Sequence, residues 1–394
     1  MKNMAITQPR HQSPSDDQAR PVPGKPTACA ELHRPLRVLQ IFQRAGVTSA
    51  PYNEHVLPLN TCHDVTACTY APATVPVPDN VTMFSADGTL SGFCRAIRAA
   101  LRERQYDVIH AHDALSAFLF LLAAFFTRAK VTRNTIFTVH SSFDRILFKR
   151  WLLLLPVFAA FGKIVFCCRA SENSFRGVLR YLSRNKSRAI SNGVDFQRID
   201  RFLESRPAKS PSDTFTMIWI GRFIPLKNPE TILRVCHALQ CETVRLVLVG
   251  EGPLRAAMDA EISALGLDSK VTFAGVIPRE EVFASLSKAD LFVSTSTTEG
   301  LPVAVVEALA CGCPSVLSDI PSHREIAETE PSIRLVNPTD VEGFVGAIQA
   351  FMEMPVSERS AVGEQCKMST RANYSLEVMT QKYEEFYRYN TQLS

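Results

Sequence analysis

The chain has 394 residues, of which 46% are hydrophobic and 21% are charged. At roughly 100 to 200 residues per domain, this length predicts two or three domains with separate apolar cores. The composition excludes collagen-like and low-complexity architectures, and no heptad repeat continues far enough for a rod. We expect a globular protein with no nucleic-acid partner.

Positive charge is concentrated in the middle of the chain. Residues 91–188 carry 17 Lys and Arg against 5 Asp and Glu, whereas residues 189–394 carry 19 against 27. The net charge of the middle segment is therefore +12. This asymmetry indicates an anionic surface or ligand facing residues 91–188, and a solvated helical face is the alternative.

The N-terminal segment and the cysteines indicate the compartment. Residues 1–35 lack the apolar stretch of a signal peptide and are rich in Pro, Gln and Ser, which predicts a disordered tail. The 11 cysteines are scattered without the spacing of a zinc site or a disulfide framework. Reduced thiols in a cytoplasmic protein are the simplest interpretation.

Short apolar runs alternate with helical patterns from Leu36 onward, which predicts parallel sheets with crossover helices. Two of the helical patterns are Leu90 to Arg104 and Ser171 to Ser183. The predicted strands begin at Leu36, Asp64, Val81, Asp107, Thr135, Ile164 and Arg188 in the first half, and at Thr216, Val244, Lys270, Leu291, Pro314 and Ser332 in the second.

A polar stretch without a strand signal, residues 196–213, separates the two halves and predicts the domain boundary. The fold class is therefore α/β, with two doubly wound domains over residues 36–200 and 201–374. Residues 375–394 form an aromatic, amphipathic helix that we expect to return to the first domain. The apolar runs Ala114–Phe126 and Trp151–Cys168 are too short or too interrupted for membrane spans, so we expect buried helices.

The first candidate site follows the strand TMIWIG. The loop GRFIPLKN places Arg222 and Lys227 at the end of a strand, where ligands of such sheets bind. A guanidinium and an ammonium near a glycine turn are well placed to hold a diphosphate. An ordinary basic surface loop is the alternative. Gly250, in the turn GEGP after the next strand, is able to lie under a nucleotide.

The second candidate site is the segment TEGLPVAVVEALACGCP. Glu299 lies in a loop, Pro302 is at a predicted helix start, and Glu307 follows within the helix. The helix N-terminus favours an anion, while each carboxylate can accept two sugar hydroxyls. Glu299 and Glu307 thus become candidates to hold two sugars that flank a diphosphate, and a helix-surface carboxylate is the alternative for Glu307.

These motifs, in this order and at these distances, resemble the C-terminal half of the retaining nucleotide-sugar glycosyltransferases, glycosyltransferase family 4. The resemblance runs from about Met217 to Val336 and implies a GT-B fold of two facing Rossmann-like domains. It implies that Arg222 and Lys227 neutralise the donor diphosphate. It also implies that Glu299 contacts the transferred sugar and Glu307 the ribose, with Gly250, Gly300, Leu301 and Pro302 in the substrate-binding segments.

The first half resembles the family less closely. DVIHAHD, which contains His112, is similar to its fourth-strand segment, and FTVHSSFDR is similar to the loop of its active-site histidine, here His140. ISNGVD matches the segment that enters the linker. The glycine pair that follows the first strand in the family is missing, because QRAGVTSAP contains only Gly46. The resemblance places Gly46 and His112 among the substrate-binding residues.

We expect no metal site. His110 and His112, followed by Asp113, form a possible ligand group, but we expect the alternate strand residues to face opposite ways. No Asp-x-Asp pair occurs in the sequence, so we expect Arg222, Lys227 and helix dipoles to meet the diphosphate charge. No cofactor is expected beyond a UDP- or GDP-sugar donor.

The sequence thus predicts a cytoplasmic, metal-independent glycosyltransferase, bound peripherally to the inner face of a membrane through residues 91–188. It would move a hexose to a hydroxyl of a glycan or lipid-linked acceptor, with His140 positioning the sugar or the hydroxyl. Two alternatives remain open: a nucleotide-sugar epimerase of the same fold, and a catalytically silent scaffold that binds nucleotide sugar or glycolipid.

Overall fold

The computed structural model describes residues 34–47, 49–127, 131–143, 148–205 and 213–392. The expected disordered tail, residues 1–35, lies outside the described residues except for its last two. Residues 35–394 form one compact unit, which contains both predicted sheets.

The first sheet has seven parallel strands in the order β3-β2-β1-β4-β5-β6-β7. Its centre is formed by β1, which pairs with β2 on one side and β4 on the other. All seven strand predictions are confirmed. The strands are β1 (Arg37–Phe42), β2 (Asp64–Thr69), β3 (Thr82–Ser85), β4 (Val108–Ala111), β5 (Thr135–Val139), β6 (Lys163–Phe166) and β7 (Ser187–Ala189).

The second sheet has six parallel strands in the order β10-β9-β8-β11-β12-β13. Strand order reverses between β8 and β11, which places the loops after these two strands at the ligand-binding edge of a doubly wound sheet. The strands are β8 (Phe215–Ile220), β9 (Val244–Val249), β10 (Val271–Gly275), β11 (Leu291–Ser294), β12 (Ser315–Ser318) and β13 (Arg334–Val336).

Helices cover both faces of each sheet, which explains why the strands read as continuous apolar runs rather than alternating ones. They are α1 (Leu57–Leu59), α2 (Leu90–Glu103), α3 (Ala114–Thr127), α4 (Phe148–Ala160), α5 (Arg169–Ser174), α6 (Gly177–Ser183), α7 (Phe196–Glu204), α8 (Pro229–Ala238), α9 (Arg255–Ala264), α10 (Arg279–Lys288), α11 (Val303–Ala310), α12 (Pro321–Ala327), α13 (Val341–Glu353), α14 (Val356–Tyr374) and α15 (Leu376–Gln392). A π-helix (Pro51–Val56) precedes α1, and a 3₁₀ turn (Pro225–Lys227) precedes α8.

One helix prediction was wrong in extent. The pattern Ser171–Ser183 divides into α5 and α6, because Phe175 turns into the core in an extended conformation and Gly177 takes a φ of 57° that favours glycine. The polar stretch after Asp195 contains no strand among its described residues, as predicted. It begins with α7, because the Asp195 side chain caps the helix by accepting a hydrogen bond from the Arg198 amide at 2.9 Å.

The two apolar runs form different secondary-structure elements. The first forms α3, whose buried face packs between α2 and α4, although Phe125 and Phe126 at its end are 78% and 64% exposed. The second run divides into α4 and β6. Along the described ranges, no helix combines the length and the apolar character that crossing a bilayer requires.

The chain passes between the two sheets at two adjacent points. Val194 and Ser375 form a parallel bridge, in which the Val194 amide donates to the Tyr374 carbonyl at 2.8 Å and the Leu376 amide donates to the Val194 carbonyl at 3.0 Å. A Cβ at Gly193 would lie 2.7 Å from the Leu376 Cα atom, so only glycine allows this approach. The crossing sends α15 back to the first sheet.

Helix α15 is anchored to the first sheet by buried tyrosine hydroxyl groups. The Tyr387 hydroxyl lies 2.6 Å from His110 Nδ1 and accepts a hydrogen bond from Gln40 Nε2 at 3.3 Å. The Tyr383 hydroxyl lies 3.2 Å from Thr138 Oγ1. The predicted return of the C-terminal helix is thereby confirmed.

Replacing Tyr387 by Phe tests this anchor. The substitution removes one hydroxyl and leaves His110 Nδ1 and Gln40 Nε2 without that partner in a buried place. We expect the free energy of unfolding to fall by about 1 to 3 kcal/mol in urea titrations. Tyr389→Phe is the control, because Tyr389 is on the same helix and is 59% exposed. Equal stability of the two variants would contradict the anchor.

Candidate active site

The predicted cation loop lies at the carboxyl end of β8. Arg222 is exposed and has no ion pair within the part of the chain that the structure describes. Lys227 ends the 3₁₀ turn and is mostly covered, and its Nζ forms an ion pair with Glu299 of the loop after β11. The two motifs, 72 residues apart in sequence, therefore meet directly at the strand-order reversal.

Close backbone contacts hold the cation loop in place. Gly250 has a φ of 135°, and a Cβ there would lie 1.9 Å from the Gly221 carbonyl oxygen. A Cβ at Gly252 would lie 2.5 Å from the Phe223 carbonyl oxygen. The turn GEGP thus supports the loop that carries Arg222, and glycine is required at both positions.

Glu299 is buried and its charge is compensated locally. Besides Lys227, its Oε1 accepts a hydrogen bond from Ser296 Oγ at 2.8 Å. His323 lies close enough to interact electrostatically with Glu299 and Lys227, and its Nδ1 is 2.7 Å from the Ser318 carbonyl oxygen. Burial lowers the pKa of His323 to about 4. No motif in the sequence indicated His323, although PSHREIA places it at the start of α12.

The Glu299 loop also contacts the first domain. Ser142 Oγ lies 3.2 Å from Thr298 Oγ1. A Cβ at Gly300 would lie 3.0 Å from the His140 carbonyl oxygen, so the two domains meet backbone to backbone beside the predicted active-site histidine. Leu301 and Pro302 continue from this contact, and Pro302 caps α11 rather than beginning it.

Glu307 lies in a separate, buried polar cluster. Its Oε1 accepts a hydrogen bond from Arg279 Nε at 2.7 Å, and burial raises the pKa of Glu307 while Arg279 opposes the rise. Glu54 of the first domain lies near this pair, and burial raises its pKa to about 7. Sequence reasoning missed Arg279 and Glu54, because it offered no way to place residues so distant in the chain beside α11.

A pocket of about 580 Å³ opens in the first domain next to His140. Gly46 and His112 also line it, together with Arg44 and Asp113. The sequence-predicted residues Gly46, His112 and His140 thus line the same pocket. Burial lowers the pKa of His140 to about 4, so its imidazole is neutral at pH 7.

The loop that lacks the family's glycine pair is organised by Asn53. Its Nδ2 donates to the carbonyl oxygens of Gly46, Val47 and Ser49 at 2.9 to 3.0 Å. Asn53 belongs to the π-helix that follows. A side-chain amide therefore holds the turn that two glycines would otherwise allow.

The expectation that His110 and His112 face opposite ways was wrong. Residues two apart on a strand lie on the same face, because the side-chain period of a strand is two. Their ring centroids are 4.0 Å apart, and His55 joins them at 5.5 and 4.5 Å. Asp113 does not belong to the group, since its carboxylate accepts hydrogen bonds from Gln43 and from the Ser116 amide.

Comparison with known proteins agrees with this architecture. Residues 61–198 match the family model described as Glycosyltransferase Family 4, and residues 200–368 match the one described as Glycosyl transferases group 1. The chain is therefore a glycosyltransferase built from these two family domains. The two matches meet inside α7, and the first match begins after β1.

Individual relatives have low sequence identity to this chain, but the aligned segments are long. The putative colanic acid biosynthesis glycosyltransferase WcaL of Escherichia coli K12 is 24% identical over 311 residues, which are 76% of this chain and 70% of that protein. The Escherichia coli UDP-Gal:alpha-D-GlcNAc-diphosphoundecaprenol alpha-1,3-galactosyltransferase is 25% identical over 263 residues, 63% of this chain and 67% of that protein. Sucrose-phosphate synthase from Thermosynechococcus elongatus superposes with a TM-score of 0.73 at 18% identity, covering 92% of this chain and 100% of that one. The fold is GT-B.

The buried histidines predict a loss of stability in acid. The folded chain holds the pKa of His55 at about 3 and those of His140 and His323 at about 4, whereas unfolded histidine titrates near about 6.5. Between these values the unfolded chain binds protons that the folded chain does not. Stability should therefore fall as the pH drops from about 6.5 to 4, by about 1.4 kcal/mol per pH unit for each such histidine.

Urea titrations at about pH 7.5, 6.0 and 5.0 measure this slope. His323→Gln removes one titrating group, so its slope should be shallower than that of the unmodified chain by about one proton. Identical slopes would show that His323 does not resist protonation in the folded chain.

Proposed function

We propose that this glycosyltransferase moves a hexose from a UDP- or GDP-sugar to a hydroxyl of a glycan or lipid-linked acceptor, with retention of anomeric configuration, in surface polysaccharide or glycolipid synthesis. The observation that carries the proposal is the Lys227–Glu299 pair at the strand-order reversal, with the adjacent Gly300 against the backbone of His140. A diphosphate-holding cation, a sugar-holding carboxylate and the opposite domain thereby converge. The names of WcaL and of the galactosyltransferase support polysaccharide synthesis and a lipid-linked acceptor.

The pair explains how donor binding proceeds. A buried carboxylate requires a compensating partner, and Lys227 supplies it. On donor binding, the diphosphate takes the Lys227 ammonium and the sugar hydroxyls take the Glu299 oxygens. Arg222, exposed beside this place, adds a planar fork of donors to the phosphates. Both cations then stabilise the charge that develops on the departing diphosphate.

The transfer itself breaks the bond between the sugar C1 atom and the phosphate oxygen and forms a bond from C1 to the acceptor oxygen. Departure on the same face as attack lets the leaving phosphate oxygen accept the acceptor's proton. His140 is neutral at pH 7 and positions the sugar or the acceptor hydroxyl beside Gly300. No general base is then required. The pocket shared by Gly46, His112 and His140 lies on the acceptor side.

We propose that the donor charge is met without a divalent metal. Lys227, Arg222 and the N-terminus of α11 act on the diphosphate, which is the role that a bound Mg²⁺ or Mn²⁺ has in other transferases. Glu307 is proposed to hold the ribose. It is fixed by Arg279 at 2.7 Å, which leaves its second oxygen for a hydroxyl group. Gly250 and Leu301 are proposed to line the donor site.

Peripheral membrane binding is proposed through residues 91–188. Their net charge is +12, and each cation near an anionic leaflet contributes about 1 kcal/mol. Several of these cations, including Arg128, Lys130 and Arg145, lie outside the described residues. Among the described ones, Arg98 lies over the exposed ring of Phe126, 4.8 Å from its centroid. A cytoplasmic enzyme would thus reach a lipid-linked acceptor without a membrane span.

A donor panel separates this proposal from its alternatives. Purified protein is incubated with radiolabelled UDP- and GDP-sugars, with and without a lipid extract, and with EDTA in a parallel series. Label that enters the lipid fraction in the presence of EDTA supports a metal-independent transferase. Turnover of donor without any acceptor would indicate an epimerase, and binding without turnover would indicate a silent scaffold.

Substitution of the two cations tests the electrostatic account. We expect Lys227→Ala and Arg222→Ala to lower turnover by about 10² to 10³ fold, as for the loss of one preorganised group in a transition state. Arg334→Ala is a matched control, because Arg334 is an exposed cation in the same domain. Near-normal turnover of a folded Lys227→Ala protein would overturn the assignment.

The two carboxylates should separate in binding experiments. Glu299→Ala should disable transfer and leave the affinity for free UDP or GDP largely intact, because Glu299 is assigned to the sugar. Glu307→Gln keeps the side-chain shape beside Arg279 and should weaken nucleotide binding by about 1 to 3 kcal/mol. Isothermal titration measures both affinities. Equal losses in the two variants would contradict the division of roles.

A further inference from the structure

Three buried histidines form a cluster below the pocket that His140 and His112 share. His55 comes from the π-helix, whereas His110 and His112 come from β4 and the residue after it. One ring nitrogen from each lies within 4.8 Å of the other two. All three side chains are at most 3% exposed.

The cluster contains nitrogen atoms without partners among the described residues. Both ring nitrogens of His55 are buried and have no hydrogen-bond partner, and the same holds for Nδ1 of His112. A buried polar atom that is left unsatisfied costs about 1 to 3 kcal/mol. Three such atoms in one place indicate a ligand that this chain is built to hold.

The hydrogen bonds around the cluster prepare His112 as a ligand. Its Nε2 lies 2.6 Å from Gln40 Oε1, a carbonyl oxygen that only accepts. Nε2 therefore carries the proton, and the lone pair of Nδ1 remains free. An outer carbonyl that fixes the tautomer of an inner imidazole is the usual arrangement around metal-bound histidine.

His110 can complete the group by giving up one existing bond. Its Nδ1 lies 2.6 Å from the Tyr387 hydroxyl and its Nε2 lies 2.6 Å from Thr138 Oγ1. Since a neutral imidazole donates from only one nitrogen, the other carries a lone pair that a hydroxyl group now shares. Displacing that hydroxyl frees the lone pair.

We propose that His55, His110 and His112 bind one divalent transition-metal ion of the Zn²⁺ class. Three neutral imidazoles suit Zn²⁺, Cu²⁺ or Ni²⁺, whereas Mg²⁺ and Ca²⁺ require oxygen ligands. Zn–N bonds of about 2.0 Å place tetrahedral ligand atoms about 3.3 Å apart, so small side-chain movements close the cluster on an ion. The site joins the π-helix, β4 and α15, and it is separate from the diphosphate cations.

Metal binding by tag-free protein tests the proposal directly. Apo protein is titrated with Co²⁺ alone, whose visible bands report a four-coordinate nitrogen and oxygen environment, and then with Zn²⁺ alone in competition. We expect one ion per chain. His55→Gln should weaken Co²⁺ binding by at least about tenfold, and Gln40→Leu, which removes the outer carbonyl, by about 10 to 100 fold.

His323→Gln is the matched control, because His323 is also buried with an unpartnered nitrogen but lies outside the cluster; its affinity for Co²⁺ should equal that of the unmodified chain. X-ray absorption at the zinc edge keeps the test decisive if the His55 variant fails to fold. Three imidazole ligands would support the proposal. A sulfur ligand would place the ion at Cys62, His63 and Glu384 and overturn it, as would less than stoichiometric binding by the unmodified chain.

Discussion

The buried ion pair between Lys227 and Glu299 is the constraint on which the active site depends. Glu299 is 6% exposed, so its negative charge requires a positively charged partner. Lys227, in the turn after the neighbouring strand β8, neutralises this charge. The ion pair fixes the loops after β8 and β11 against each other. In the proposed function, these two side chains bind different parts of the donor. Lys227 binds the anionic diphosphate, and Glu299 accepts hydrogen bonds from the neutral sugar hydroxyl groups.

Backbone proximity turns the pair into a site between domains. Gly300 approaches the His140 carbonyl so closely that a Cβ would lie 3.0 Å from it, and Gly250 lies under the loop of Arg222. At the opposite end, Gly193 allows the two chain crossings to touch, and α15 returns to the first sheet through Tyr383 and Tyr387. Glycine at two close approaches, Gly300 and Gly193, together with the tyrosine hydroxyl groups of α15, therefore sets how the two sheets can meet.

Much of the fold could be predicted, because parallel strands that are covered on both faces read as apolar runs separated by helical patterns. All thirteen strands of the described ranges coincide with predicted runs. Arg222, Lys227, Glu299 and Glu307 could be named because strand ends and helix starts concentrate ligand-binding groups. The contacts that these residues make could not be predicted. Arg279 reaches Glu307 only through the packing of α10 on α11, and such packing leaves no local trace in the sequence.

Two further features were not predicted correctly, for different reasons. The prediction for His110 and His112 used the wrong side-chain period, and the correct period of two places both on the same face. The organisation of the loop after β1 was unpredictable for another reason. Asn53 replaces a glycine pair by donating to three carbonyl groups, which requires the π-helix that follows, and a sequence pattern does not distinguish a π-helix from an α-helical turn.

The most direct test of the central claim is a crystal structure of the protein with UDP or GDP bound. The account predicts a diphosphate within hydrogen-bond distance of Arg222 and of Lys227, with the Lys227 ammonium turned away from Glu299 and no metal ion bridging the phosphates. A nucleotide bound elsewhere, or a diphosphate held by a metal ion while Lys227 stays paired with Glu299, would contradict it.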